Sequence, residues 1–476
     1  MKVVLVDPAF GPDSFNTFGK SHWSSVIHHG LCSISAYAKS KGFTDIELID
    51  LRRLKGWPEF RKEVKKKGPA VIGFTMRSCD FHMVMEAAAI VKEVNPATVT
   101  VAGGPHPTIA AEEVGRSEHI DHIIIGEGEI AFVELLQAIE FGRASERVIV
   151  GTRPNLDELP FDDRELYPDY HVTLKMANYP GVFKPPMVTF IGQRGCPFRC
   201  TYCAPHPQAI FGKKVRSRSV DHVIEELREL RHKYGFRSLK FYDYTFTMNP
   251  SWVYEFCDKY QKAGFAAEIL AQSRADLICR HPELLKTLRD IGLKLMLLGF
   301  ESGSQKVLDR LKKGCTVEEN LEAAHLLKQH GIMVSGSFML GSPGETKEDV
   351  QATVELVKRM RPHFVSVSTF TPIPGCELYD YCKEHDLSLI KDYDDFVTFA
   401  PLKPKIKGID YEFLGSVIEE IMGDRFGGRM SGKLIKWVYL RTKKMLRLRN
   451  FLVRCYATWV GSGLYRSLQA WKRAEG

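Results

Sequence analysis

Three cysteines within eight residues, in the run Arg194-Gly-Cys-Pro-Phe-Arg-Cys-Thr-Tyr-Cys203, constrain this chain more than any other stretch. They follow an extended apolar run, Met187-Val-Thr-Phe-Ile-Gly-Gln193, that reads as a buried strand. The thiols therefore sit on the loop leaving a strand's carboxyl end, where α/β folds place their chemistry. Thiolates from Cys196, Cys200 and Cys203 can hold three irons of a 4Fe–4S cluster and leave the fourth iron open to a substrate or cofactor. Zinc is the alternative metal. A closed zinc site takes four ligands, often as two cysteine pairs; no second pair follows here, and His206 is the nearby candidate for a fourth ligand. A disulfide does not suit a chain without secretory features.

The rest of the chain supplies the α/β frame that such a loop needs. Strand patterns at residues 3–6, 46–49, 70–74, 98–102 and 122–125 alternate with helical patterns near 30–41, 58–67 and 81–94. This predicts a doubly wound, Rossmann-like parallel sheet over residues 1–150. A linker rich in Pro, Asp and Tyr covers 151–185. From 186 to 400 the strand before Cys196 is followed by strand patterns at 238–242, 267–272, 294–300, 333–340 and 364–370. Six βα units fall short of the eight in a closed barrel, so a partial TIM-like barrel is expected, open on one side to a large substrate. Helix 220–231 begins after a Ser219 cap and presents Val220, Val223, Ile224, Leu227 and Leu230 on one face.

Hydrophobic residues make 44% of the 476 and charged residues 26%, ordinary values for a water-exposed globular chain. No apolar run approaches the roughly 18 residues that span a bilayer. The amino terminus turns acidic at Asp7 and reads as a strand rather than a signal peptide. Eleven scattered cysteines fit a reducing compartment, and a cytoplasmic location is expected.

The cysteine run, with aromatic Tyr202 before its last member, resembles the signature of the radical S-adenosylmethionine (SAM) enzymes. Membership implies that SAM chelates the open iron, and that one electron from the cluster cleaves it to methionine and a 5′-deoxyadenosyl radical. Upstream, Gly103-Gly-Pro-His-Pro-Thr108, Gly126-Glu-Gly-Glu129 and Asn155-Leu-Asp-Glu-Leu-Pro160 are similar to the cobalamin-binding-domain class of that superfamily, which includes anaerobic porphyrin ester cyclases and hopanoid and phosphinate methylases. By that resemblance Gly103, Gly104, His106, Thr108, Gly126, Glu127, Gly128 and Glu129 face a corrinoid. Glycine turns also end strands for purely structural reasons. The Asp-x-His-x-x-Gly motif that supplies a histidine to cobalt elsewhere is missing, so the corrinoid is expected to have no histidine beneath it; His28, His29 and His106 read as loop hydrogen-bonders.

The resemblance extends to the later strand ends. Phe241-Tyr-Asp-Tyr-Thr-Phe-Thr247 resembles a family segment in which Asp243 lies near the SAM amino group, with Tyr244 where a second Asp is common. Arg274 is expected at the SAM carboxylate, Glu301 or Ser302 at the ribose or ammonium, and Gly341 and Gly344 beside adenine. The structural alternatives are turn or cap roles for Asp243 and Asp276, an ion pair between Arg274 and Glu301, and a helix start at 341–345. Cys257, Cys279, Cys315, Cys376 and Cys382 lack tight spacing and read as core or surface thiols.

Residues 401–476 become helical and basic. Positions 425–476 carry thirteen Lys and Arg against one acid, net +12, so the first 424 residues carry about −4 of the chain's +8. With Trp437, Tyr439, Trp459 and Trp471 this segment fits peripheral contact with an anionic inner membrane face, or a helical cap over the barrel's open side. Nucleic acid is not expected as a partner; an electron donor such as ferredoxin or flavodoxin is. The expected activity is cobalamin-dependent C-methylation of a hydrophobic, lipid- or isoprenoid-like substrate. The alternatives are cyclisation, coupling or rearrangement without methyl transfer, and a non-catalytic metal-binding protein that contacts membrane or RNA.

Overall fold

The computed structural model describes residues 1–8, 14–20, 26–176, 178–179, 181–396 and 403–423. Two six-stranded parallel sheets organise these residues. The first contains β1 (Val3–Asp7), β2 (Ile46–Asp50), β3 (Val71–Thr75), β4 (Val99–Gly103), β5 (His122–Ile125) and β6 (Val148–Val150), in the order β2-β1-β3-β4-β5-β6. All five residues of β1 and of β3 are buried, as parallel strands covered on both faces require. The order reverses between β1 and β3, and that switch point leaves a crevice outside the strands' carboxyl ends.

The second sheet begins with β7 (Met187–Phe190). A short antiparallel pair, β8 (Gln193–Arg194) and β9 (Arg216–Ser217), follows, and then come β10 (Ser238–Phe241), β11 (Glu268–Ser273), β12 (Leu293–Glu301), β13 (Met333–Leu340) and β14 (Phe364–Thr369). The order β14-β13-β12-β11-β10-β7 is sequential, and β7 and β14 do not pair with each other. Both edge strands nevertheless share one inner apolar cluster: Met187 and Phe364 pack with Leu270, Leu295, Met333 and the segment bearing Tyr179 and Phe183. The sheet is therefore curled into an unclosed barrel whose floor is plugged by Tyr179, Val182 and Phe183. The expected parallel-sheet architecture, Rossmann-like unit and partial barrel are all present.

Local sequence explains the helices. Thr316 and Thr346 form capping boxes with Glu319 and Asp349, and Ser219 caps the helix Val220–Tyr234 by accepting from His222 N. Residues 162–164 tie the two sheets together. Asp162 bonds His29 and Asp163 bonds Ser35 and Lys39 on the first side, while Arg164 pairs with Glu226 on the second. The helix Tyr411–Gly423 buries Leu414, Val417 and Ile421 in the main core. The basic segment from 425 onward lies outside the described residues. Among the described residues no helix is long and apolar enough to cross a membrane.

Candidate active site

The β8 and β9 pair closes the base of an excursion that carries the three cysteines. Gly195 enters it at φ 98°, where a Cβ would stand 3.0 Å from Lys214 O. Backbone contacts then pin the loop to the barrel: Thr201 N donates to Leu311 O (3.0 Å), and Leu378 N donates to Thr201 O (2.9 Å). Cys196, Cys200 and Cys203 are free thiols, with Cys200 buried. Burial pushes the Cys196 thiol up, against Arg274, and the Cys203 thiol up to about 12, against Lys313. These cations supply positive charge where thiolates would bind metal.

A donor set for one zinc ion would gather sulfurs within about 4 Å of one another, since Zn–S bonds are about 2.3 Å. Among the described residues, the potential ligands gathered within 4.8 Å are His82, Asp392 and Asp394 on the surface, not the cysteines. His206 Nδ1 instead accepts from Gln208 N and caps a short helix. Three neighbouring thiols set further apart fit a cluster better than a single ion.

The predicted SAM residues divide into two groups. Tyr202 OH donates to Glu301 Oε1 (2.8 Å), and Lys313 Nζ donates to both Glu301 Oε1 (3.0 Å) and Tyr202 OH (3.1 Å), directly beside the cysteine loop. Glu301 holds φ 63°, a strained value for a non-glycine residue that follows the irregular register at the end of β12. Arg274 lies 3.5 Å from the Phe198 ring centroid, donates to Asp276 (2.9 Å) and approaches Cys200 Sγ at 3.6 Å. Its Nη2 donates to Lys313 O. The pairings are thus Arg274 with Asp276 and Glu301 with Lys313, which replace the expected alternative of Arg274 with Glu301. Lys313 was not singled out from sequence; its burial beside Glu301, twelve residues away, is a tertiary fact.

The second group looks inward to protein. Asp243 Oδ1 accepts from Gly192 N (2.7 Å), its Oδ2 has no protein partner, and burial raises it to about 7. Ser302 is fully buried against Thr353 (3.2 Å). Glu345 accepts from Gly341 N and Ser342 N, so these amides are already satisfied. A Cβ at Gly341 would meet Leu414 at 2.9 Å and one at Gly344 would meet Arg310 at 2.4 Å. Protein atoms, rather than open space, account for those glycines.

The crevice at the β1 and β3 switch point opens into a cavity of about 380 Å³ between the two sheets. Gly103, Gly104 and residues 126–129 line one side, and Gly192, Gln193, Arg194, Tyr242 and Tyr244 the other. Gly104, at φ 101°, lets backbone pass where a Cβ would lie 3.0 Å from Thr75 Oγ1. His106 does not face this cavity. It is buried behind the loop, bonds Ser78 through Nδ1 (3.1 Å) and packs on Phe81 and Tyr393, and burial lowers its pKa to about 4. Thr108 is also turned away: its hydroxyl donates to Gly104 O (2.8 Å) and accepts from Gly126 N (2.9 Å), clipping the two glycine loops together. Thr108→Val should leave Gly126 N without this acceptor, while Gly104 O keeps the backbone N–H of residue 108, and should cost about 1–3 kcal/mol of stability, measurable by urea denaturation.

Glu127 and Glu129 face the cavity but are engaged by cations. Arg194 donates to Glu127 Oε2 and to Glu129 Oε1, each at 2.7 Å, and Arg216 also donates to Glu127. His28 bonds Leu31 N and Thr75, and His29 bonds Asp162 and Thr189, so both ring nitrogens of each are occupied. Neither ring is free beneath a corrinoid. A glycine-walled, largely apolar crevice with no free imidazole from these two residues suits a corrinoid held without a histidine ligand.

Comparison with known proteins agrees with this geometry. Residues 190–357 match the radical SAM superfamily model and residues 24–136 match the B12 binding domain model. An uncharacterized methyltransferase of Pyrococcus horikoshii is 29% identical over 393 residues, 79% of this chain and 83% of the relative. The anaerobic magnesium-protoporphyrin IX monomethyl ester cyclase of Rubrivivax gelatinosus is 27% identical over 98% of this chain and 83% of its own. The solved structure of the cobalamin-dependent SAM radical enzyme OxsB, with aqua-cobalamin and SAM bound, superposes with a TM-score of 0.69 at 15% identity, covering 95% of this chain and 72% of that one, a likeness of fold. The chain belongs to the radical SAM superfamily, in the class with a B12 binding domain. Its two domains imply a 4Fe–4S cluster, SAM and cobalamin.

Proposed function

We propose that this enzyme methylates an unactivated carbon of a hydrophobic small molecule held in the barrel. The observation that carries the reading is the shared cavity: the glycine loops of the first sheet and the residues leading into the cysteine loop line the same space. When bound, the cluster supplies an electron for SAM cleavage, SAM supplies a methyl group and a hydrogen-abstracting radical, and the corrinoid supplies a methyl carrier. Cys196, Cys200 and Cys203 would hold the cluster. Tyr202, Glu301 and Lys313 form a polar edge beside it for the ammonium or ribose of SAM, with Ser302 supporting that strand end. Asp243 and Arg274 would act from beneath, ordering Gly192 and the cysteine loop, and Gly341 and Gly344 would let the adenine-side loop close against Leu414 and Arg310. Gly103, Gly104, Gly126 and Gly128 would offer backbone to the corrinoid, with His106 and Thr108 shaping the loops behind. The apolar wall, including Ile34, Ile124, Phe132, Ile191 and Phe211, excludes water. A protein electron donor such as ferredoxin or flavodoxin would reduce the cluster.

The test is anaerobic reconstitution with iron, sulfide and hydroxocobalamin, followed by reduction in the presence of methyl-deuterated SAM. The expected result is stoichiometric corrinoid with both 5′-deoxyadenosine and S-adenosylhomocysteine formed. A second reading, ring closure or another oxidation without methyl transfer, is favoured by the ester cyclase relative that aligns over nearly the whole chain. Formation of 5′-deoxyadenosine without S-adenosylhomocysteine would select it.

A further inference from the structure

The barrel carries a buried cation that neither the cluster loop nor the corrinoid crevice uses. Leu239 and Phe241 of β10 point into the apolar core shared with the helices, so strand alternation turns Ser238, Lys240 and the following Tyr242 to the concave face. Lys240 is 5% exposed. Its amine lies 4.1 Å from the Tyr242 ring centroid and makes one long hydrogen bond, 3.4 Å, to Asn178 Oδ1. Among the described residues no carboxylate pairs with it. This is unusual in the molecule, where the buried cations Arg52, Arg164, Arg274 and Lys313 each face an acid. Burial alone lowers its pKa, to about 8, so the amine stays mostly protonated at neutral pH.

The surroundings indicate what would neutralise it. Asn178 belongs to the same segment whose Tyr179, Val182 and Phe183 plug the barrel with Met187, Leu270 and Leu295, and Tyr179 OH reaches Ser335 on β13 at 3.0 Å. Lys240 is in register with Leu270, which pairs in turn with Leu295, so it stands level with this apolar floor. On the same concave face, Gln272, Leu297 and Ser337 are partly accessible and Ser366 is exposed, leaving space above the amine on the far side of the sheet. An unpaired charge among apolar side chains is a standing desolvation penalty unless a counter-ion arrives from outside.

We infer that Lys240 is a specificity residue for an anionic head group, and that the substrate is an amphiphile whose carboxylate or phosphate enters the lumen first while its apolar body extends toward the cysteine loop. This rests on the preceding reading that the barrel holds the substrate. A lysine, as a compact point charge, suits either anion without the forked geometry of an arginine.

The experiment is isothermal titration of the full-length reconstituted protein with decanoate, decyl phosphate and decanol. The wild type should bind at least one of the two anions about tenfold or more tighter than decanol, and the stronger of the two identifies the head group. Lys240→Met, nearly isosteric and without a charge to desolvate, should melt at or above the wild type and lose that preference; Lys240→Gln, which can keep the Asn178 bond, should lose it too. A wild type with no anion preference overturns the proposal whatever the variants do, and so does a folded variant that retains the preference. Assaying 5′-deoxyadenosine in the same wild-type preparation separates the two readings. Cleavage without anion preference removes only the Lys240 assignment, whereas no cleavage removes the functional reading beneath it.

Discussion

Cys200→Ala is expected to abolish SAM cleavage, lowering 5′-deoxyadenosine formation by at least ~10³-fold, as happens when one member of a unit that acts together is removed. The thiol is buried and lies 3.6 Å from Arg274, so its loss also removes one contact of that guanidinium, which keeps Asp276. The fold should survive, because loop anchoring runs through the backbone of Thr201 and not through the sulfur. Iron and sulfide content should fall together with cleavage. Cys376→Ala is the matched control: that thiol is buried in an apolar cluster with Leu378 and Cys382, against which Tyr202 and Ala204 pack, and should be dispensable for cluster assembly. Retention of a full cluster and normal cleavage by Cys200→Ala would remove the basis for treating Cys196, Cys200 and Cys203 as the ligand set.

The features legible in the sequence are those encoded over short distances. Strand and helix periodicity located β1 to β5 and the whole second sheet, and caps such as Ser219 marked helix starts. The edge strand β6 escaped because Val148–Val150 is three residues long and mostly exposed, so it shows no burial pattern. At the site, the spacing of the cysteines was visible and their surroundings were not. His106 and Thr108 share a loop with Gly103 and Gly104, yet the helical turn at Pro105–Ile109 directs them behind it. Gly341 and Gly344 are expected beside adenine for close approach; both hold positive φ, and the protein groups that approach them are Leu414 and Arg310, far away in the chain. Lys313, Lys240 and Arg194 depend on which strands become neighbours, and local patterns carry no record of that.

Arg194 is the clearest such case and carries the second large effect. It stands two residues before Cys196, and its guanidinium spans Glu127 and Glu129 on the loop that lines the corrinoid crevice. Desolvation acts against all three groups, yet the pairing holds Glu129 below the usual carboxylate range. Arg194→Met would leave Glu129 with Ser33 and its own backbone N–H as donors and no cation, while Glu127 keeps Arg216. Breaking a buried pair in this way costs about 3–5 kcal/mol. The sign of the pH dependence follows from linkage. In the wild type the depressed Glu129 contributes stability above its unfolded pKa, and that contribution is lost as pH falls through the folded value. In the variant burial acts unopposed and raises the folded pKa, so ionisation destabilises the fold once pH exceeds the unfolded value. The stability gap between the two proteins should therefore widen between about pH 4.5 and 7, as urea denaturation at the two ends of that range will show. Adding Glu129→Gln to Arg194→Met should recover a large part of the loss, since an amide has no charge to desolvate, and the double-mutant cycle measures the coupling. A pH-independent gap, or no recovery, would mean that the two sheets are held by the linker contacts of residues 162–164 and not by this clamp. If the clamp does hold them, one arginine fixes the cysteine loop against the glycine loops, and the separation of the two cofactor sites is set by a contact that belongs to neither.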